Sequence, residues 1–208
     1  MTNKKKVVIG TLLTLLPVLI GLLLWNKLPE RIPTHFDVNG VADSYSSRLF
    51  TVVGLPVFLA GVEMLVGFMT ISDPKQKNIN RKMFNIGIFT VPVISIIMMS
   101  SIYALALGYH VNIASITFIA IGLLFIVIGN YLPKTKQNYT VGIKIPWALN
   151  SSENWNRTHR LASRLFIVAG LLIIANIWLK SFVLFITVVL VIIFVPIVYS
   201  YILYKKGI

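Results

Sequence analysis

Long apolar runs with almost no charge decide what this chain can fold into. Val7 to Trp25, Phe84 to Leu107, Ile113 to Tyr131 and Phe182 to Tyr204 contain no Asp, Glu, Lys or Arg, and Phe50 to Ile71 contains only Glu63. A helix rises about 1.5 Å per residue, so such runs match the about 30 Å of a bilayer's hydrocarbon core. A sixth run, Leu165 to Leu179, is shorter, but Arg164 before it and Lys180 after it can snorkel toward the headgroups, and it is read as a span too. Only 12% of the residues are charged against 57% hydrophobic, too few charges to coat a water-exposed globule. A soluble enzyme is therefore excluded. The expected fold is all-α: a bundle of six transmembrane helices with a small extracytoplasmic hairpin-like loop. Prolines 17, 56, 92 and 196 lie inside runs, where they predict kinks. The first run is too long for a signal peptide and has no small-residue cleavage site before Trp25, so it is expected to be retained.

Charge sets the orientation. With the N-terminus inside, the inner side holds Lys4, Lys5, Lys6, Lys75, Lys77, Arg81, Lys82, Lys134, Lys136, Lys144, Arg157, Arg160, Arg164, Lys205 and Lys206. The outer side holds only Lys27, Arg31, Arg48 and Lys180. Fifteen against four places both ends in the cytoplasm of a multi-pass cell-membrane protein. The net charge of +13 then points to anionic lipid as a partner and not to nucleic acid. The chain has no cysteine, which excludes disulfides, thiolate metal sites and a thiol nucleophile. No cofactor or metal is expected. Two three-span regions are expected, 1–107 with an outer loop at 26–49, and 108–208 with an inner loop at 132–163. The remaining connections read as short tethers.

In the outer loop, Asn39-Gly40 sits between two mixed polar and apolar stretches and predicts a hairpin with a two-residue turn. Val38 then faces Val41 and His35 faces Ser44. Alternation puts His35, Asp37 and Ser44 on one face, with Phe36, Val38, Val41 and Tyr45 on the other, lying on helix ends or on the membrane surface. His35, Phe36, Asp37, Asn39, Gly40 and Asp43 form a candidate ligand site. The alternative is turn chemistry plus a solvated face. The D-x-N-G fragment lacks the later carboxylate of an EF-hand loop.

The inner loop carries Asn130, Asn138, Gly142, Pro146, Trp147, Trp155, Thr158 and His159. Trp147 and Trp155 suit an aromatic belt. Asn154, Thr158 and Ala162 recur every four residues beside a second stripe of Trp155, His159 and Ser163, so an amphipathic helix is expected from Ser152 or Glu153 into the fifth span. Its basic face suits phospholipid or an acidic partner. His159 is either a pH-sensitive group or a satisfied structural one. Glycosylation triplets at Asn138, Asn150 and Asn156 fall on the inner side and are discounted.

Leu28-Pro29, Ile32-Pro33, His35-Phe36, Gly40 and Asp43 after a first span resemble the N-terminal domain of unknown function found in SdpI-type membrane proteins. Gly129-Asn130, Asn138, Gly142-Ile143, Pro146-Trp147, Trp155 and Thr158-His159 resemble the C-terminal segment of the same family. A departure is Ile145, where the pattern has a threonine. The resemblance implies a bacterial, Gram-positive, polytopic immunity protein giving resistance to a secreted antimicrobial peptide of the bacteriocin or cannibalism-toxin kind. It also implies signalling to a cytoplasmic regulator.

Glu63, in the middle of a span, is costly as a charge. It reads either as an ion or proton relay, or as a protonated group hydrogen-bonded to a neighbouring Ser, Thr, Tyr or Asn. Beside the immunity reading stands a small ion-coupled transporter or export factor, for which Glu63 and the prolines are the cue. A membrane hydrolase is disfavoured, because His35 and His159 fall on opposite sides and neither H-E-x-x-H nor a serine nucleophile motif occurs.

Overall fold

The computed structural model describes residues 2–37 and 39–208. Val38, expected opposite Val41, lies outside them. Among the described residues, six helices are long and apolar enough to cross a membrane, as the runs predict. The first span divides into α1 (Asn3–Thr14) and α2 (Leu16–Leu23), broken where Pro17 enters. A short hairpin follows, β1 (Arg31–Phe36) and β2 (Ala42–Ser47), and then a π-helical turn at Phe50–Gly54 leads into α3 (Leu55–Ile71). The chain continues through α4 (Arg81–Ala106), α5 (Ile113–Tyr131), the short α6 (Pro146–Asn150), α7 (Ser152–Leu179) and α8 (Phe182–Lys205). Pro92 and Pro196 lie inside α4 and α8 without ending them.

The chain forms two compact units, residues 1–68 with 88–117, and residues 69–87 with 118–208. In the first, Leu28, Ile32, Val52, Met99, Ile102 and Tyr103 make a buried core against which Phe36 packs. The break at Pro17 frees backbone carbonyls, and α4 answers them: Ser95 Oγ donates to the Thr14 carbonyl at 3.1 Å and Tyr103 OH to that of Pro17 at 3.1 Å. Leu65 and Phe68 of α3 are exposed, which suits lipid contact.

In the second unit, glycines bring α5 and α7 together. A Cβ on Gly122 would lie 2.5 Å from Ile174 Cγ1, and one on Gly129 would lie 2.8 Å from the Ser163 carbonyl oxygen. Small residues allow this approach, and dispersion between the helices does the work that hydrophobicity does in water. The α7 to α8 turn is fixed by Asn176, whose side chain donates to the Ser181 carbonyl and accepts the Ser181 N–H. Lys180 there takes the left-handed conformation, φ 47°.

The amphipathic extension expected before the fifth span is present. α7 starts at Ser152 behind an N-cap, Ser151, whose Oγ accepts the Asn154 N–H at 3.2 Å. Its 28 residues make a helix of about 42 Å, longer than the hydrocarbon core, so the polar first turns project beyond the apolar stretch from Leu165.

Candidate functional site

The hairpin is antiparallel, with Arg31 paired to Ser47, Ile32 to Ser46 and Pro33 to Tyr45. His35 faces Ser44, as expected, but the ladder is irregular on both sides of His35, and Phe36 pairs with Ala42. Asp43 is thus an extra residue between two pairs. Regular alternation would send it to the face opposite His35; the irregularity turns it back, and His35 Nδ1 meets Asp43 Oδ1 at 2.6 Å. The two side chains, 71% and 48% exposed, engage each other and are not left free.

The turn also differs from the two-residue form. Asp37 N–H donates to the Val41 carbonyl and Gly40 N–H to the Asp37 carbonyl, both at 2.9 Å. Gly40 has φ 82°, and the chain closes from Asp37 to Val41 instead of across a two-residue turn. The cause is the Asp37 side chain, whose Oδ1 accepts the N–H groups of Asn39 at 2.9 Å and Val41 at 2.8 Å. The Val41 hydrogen bond, then those from Asn39, hold the Asp37 carboxyl below the usual aspartate range.

The hairpin is anchored on helix ends of its own unit. Ile32 is fully buried, and Arg48 Nη1 donates to the Trp25 carbonyl at 2.8 Å while its guanidinium lies 5.2 Å from the centre of the Trp25 ring. At the tip, a Cβ on Gly40 would lie 3.3 Å from that of Ala114. Val41 and Tyr45 are exposed, so among the described residues of the expected apolar face only Phe36 packs inward.

The second cluster is built on the first turns of α7, where Asn154, Trp155, Thr158, His159, Ala162 and Ser163 are all buried. Trp155, placed by its sequence position among interfacial aromatics, is instead sealed: it is 0% exposed and its Nε1 donates to the Thr135 carbonyl at 2.9 Å. His159 stacks on Trp155, donates through Nδ1 to the Trp155 carbonyl and accepts the Ile143 N–H at Nε2. That pattern requires the neutral ring with its proton on Nδ1. Gly142, φ 117°, passes over this pair; a Cβ there would be 2.5 Å from His159 Nε2.

Asn138 is fully buried and closes the adjoining loop, donating to the carbonyls of Lys136 and Val141 and accepting the N–H groups of Thr140 and Val141. Thr158 Oγ1 and Ser200 Oγ both donate to Asn154 Oδ1, and Asn154 Nδ2 donates to the Ser200 carbonyl. Trp147, behind Pro146 at the start of α6, packs on Tyr201 and Tyr204. Asn130 is exposed and stays outside the cluster.

The connection 72–80 is more than a tether. Asp73 Oδ2 accepts the N–H of Tyr139 at 2.9 Å and the hydroxyl of Thr140, and Lys75 Nζ donates to Gln137 Oε1 while lying over the Tyr139 ring. Gln137 in turn donates to the carbonyls of Ala148 and Leu149. Neither Asp73 nor Gln137 stands among the residues expected from sequence to form a site. Asp73-Pro74 offered a turn signal but no hint of a partner some sixty-six residues away.

Glu63, in α3, is fully buried, and neither carboxyl oxygen has a hydrogen-bond partner. Of the two readings of Glu63, the hydrogen bond to a neighbouring Ser, Thr, Tyr or Asn is not made. Among the described residues no three His, Asp or Glu side chains gather as a metal-ligand set.

Two family models match. Residues 12–60 match the Domain of unknown function (DUF1648), and residues 134–200 match the SdpI/YfhL protein family. The chain is 28% identical to the Immunity protein SdpI of Bacillus subtilis (strain 168), with 97% of each chain covered. No solved structure matches it.

Proposed function

Because the chain carries the DUF1648 domain and the SdpI/YfhL segment in that order, we propose that it is a multi-pass membrane immunity protein that protects its cell from a secreted toxic peptide. The observation that carries this reading is the similarity to Immunity protein SdpI along nearly the whole of both chains. Six apolar spans supply the membrane setting. The role is one of binding and blocking, without catalysis.

Both ends lie in the cytoplasm in this reading, following the bias of Lys and Arg between alternate connections. The hairpin then faces outward and meets a toxin first. It suits recognition: its base is pinned by Ile32 and Arg48, while His35, Asp43, Val41 and Tyr45 present a mixed polar and apolar surface. The cluster around Trp155 and His159 is buried and satisfied, which favours bracing the inner face over contact with a ligand. Arg157, Arg160 and Arg164 on the exposed side of α7 suit anionic headgroups or an acidic cytoplasmic regulator.

The test is expression in a sensitive bacterium that lacks its own copy, challenged with a panel of secreted peptide toxins. Survival with one toxin and not others supports immunity and identifies its target. Failure to protect against any toxin, at normal membrane levels, contradicts it.

A further inference from the structure

The bundle of the first unit treats its buried polar groups in two ways. Thr14, Ser95 and Tyr103 each donate to a helix carbonyl: Thr14 Oγ1 to Gly10 at 3.0 Å, Ser95 to Thr14 and Tyr103 to Pro17. These hydroxyls repair or reinforce backbone near the break in the first span. Glu63 does nothing of the kind. It is 0% exposed with both oxygens unpartnered, although it is the one acidic group in its span.

A carboxylate in the hydrocarbon region is costly unless its charge is cancelled. A carboxyl kept only as structural glue would be expected to satisfy itself against a hydroxyl or a carbonyl, as Thr14, Ser95 and Tyr103 do. The surroundings instead make room for the bare group. Gly10 of α1 faces it so closely that a Cβ there would lie 3.0 Å from Glu63 Oε1 and 3.1 Å from Ile88 Cγ2 of α4. Thr11, next to Gly10, has a buried hydroxyl that is also unpartnered. One further charged group shares this stripe of α1, Lys6, a turn before Gly10; it is buried and is not free. Residues 88–102 of α4 contain no titratable side chain, and α3 contains no other.

We propose that Glu63 is an exchangeable cation site inside the first unit, taking up a proton or an alkali ion that cancels its charge and releasing it to the aqueous phase. The inference stands apart from toxin binding, and its test needs no toxin. Purified protein is reconstituted in neutral lipid vesicles. The infrared carboxyl bands that differ between parent and Glu63→Gln are followed from about pH 5 to about pH 9, with and without sodium or potassium. In parallel, parent protein is treated with dicyclohexylcarbodiimide, and the adduct on the Glu63 peptide is read by mass.

A proton site predicts a carboxylic band at acid pH that converts to carboxylate as pH rises, with labelling falling at least tenfold in step. An alkali-ion site predicts the same conversion at constant pH on adding one ion. A band and an adduct yield indifferent to pH and to both ions, or no carboxylic band and no adduct at any pH, would overturn the proposal. The labelling arm decides the matter if Glu63→Gln does not fold.

Discussion

The imidazole of His159 lies on the indole of Trp155 with 3.9 Å between ring centroids, and its free Nε2 takes the N–H of Ile143 at 3.0 Å. One stacked pair on α7 therefore fixes the loop that crosses it. The crossing residue has to be a glycine, since Gly142 combines φ 117° with no room for a side chain.

Gly142→Ala should accordingly destabilise the protein by about 1 to 3 kcal/mol, the usual cost of a side chain forced into that backbone region. Gly61→Ala is the control. Gly61 lies within α3 with nothing near its would-be Cβ, so alanine there should be neutral or stabilise by up to about 1 kcal/mol. Thermal melts of the two variants in detergent check the contrast, and equal losses would show that the crossing is not tight.

The hairpin tip should be sensitive to acid. Asp37 is ionised more readily than an ordinary aspartate because its carboxylate accepts hydrogen bonds from Val41 and Asn39. A depressed value in the folded state means the turn is supported at and above the unfolded value of about 3.9 and loses that support as pH falls through the lower, folded value. Amide proton shifts of Asn39 and Val41 should titrate together with a midpoint below that of a model aspartate. The Asp37→Asn variant should show no such step.

Topology is checked by cysteines introduced singly at Asn39 and Ser152 into a chain that has none of its own. An impermeant thiol reagent applied to intact cells should modify the residue at 39 and leave that at 152 untouched until the cells are opened. Labelling at 152 in intact cells would reverse the orientation inferred from charge.

Much of this architecture was legible because lipid and periodicity leave strong marks. Span positions follow from uncharged length, and the buried stripe of Asn154, Thr158 and Ala162 follows from a four-residue repeat. What escaped was decided by single side chains acting across the chain or against a local pattern. Asn39-Gly40 signals a two-residue turn, but the carboxylate of Asp37 takes the Val41 N–H that such a turn needs, and the Asn39 N–H as well. His35 and Asp43 sit on opposite faces by alternation and meet only because the ladder is irregular. Trp155 has the residue type and the location of an interfacial anchor, yet Thr135 offers its indole N–H an acceptor inside the fold.

In the proposed role the hairpin chooses the toxin and the Trp155 cluster braces the fold. His35→Ala or Asp43→Ala breaks an exposed pair, so stability should scarcely change, whereas protection should fall about tenfold or more through loss of the contact with the toxin. Trp155→Ala or His159→Ala should weaken protection without altering which toxin is resisted. The direct measurement exchanges residues 26–49 with those of a homologue of different toxin preference and scores survival at matched membrane levels. The account predicts that preference moves with the hairpin. Preference that stays with the recipient chain, or that moves only when residues 132–163 are exchanged, would contradict it.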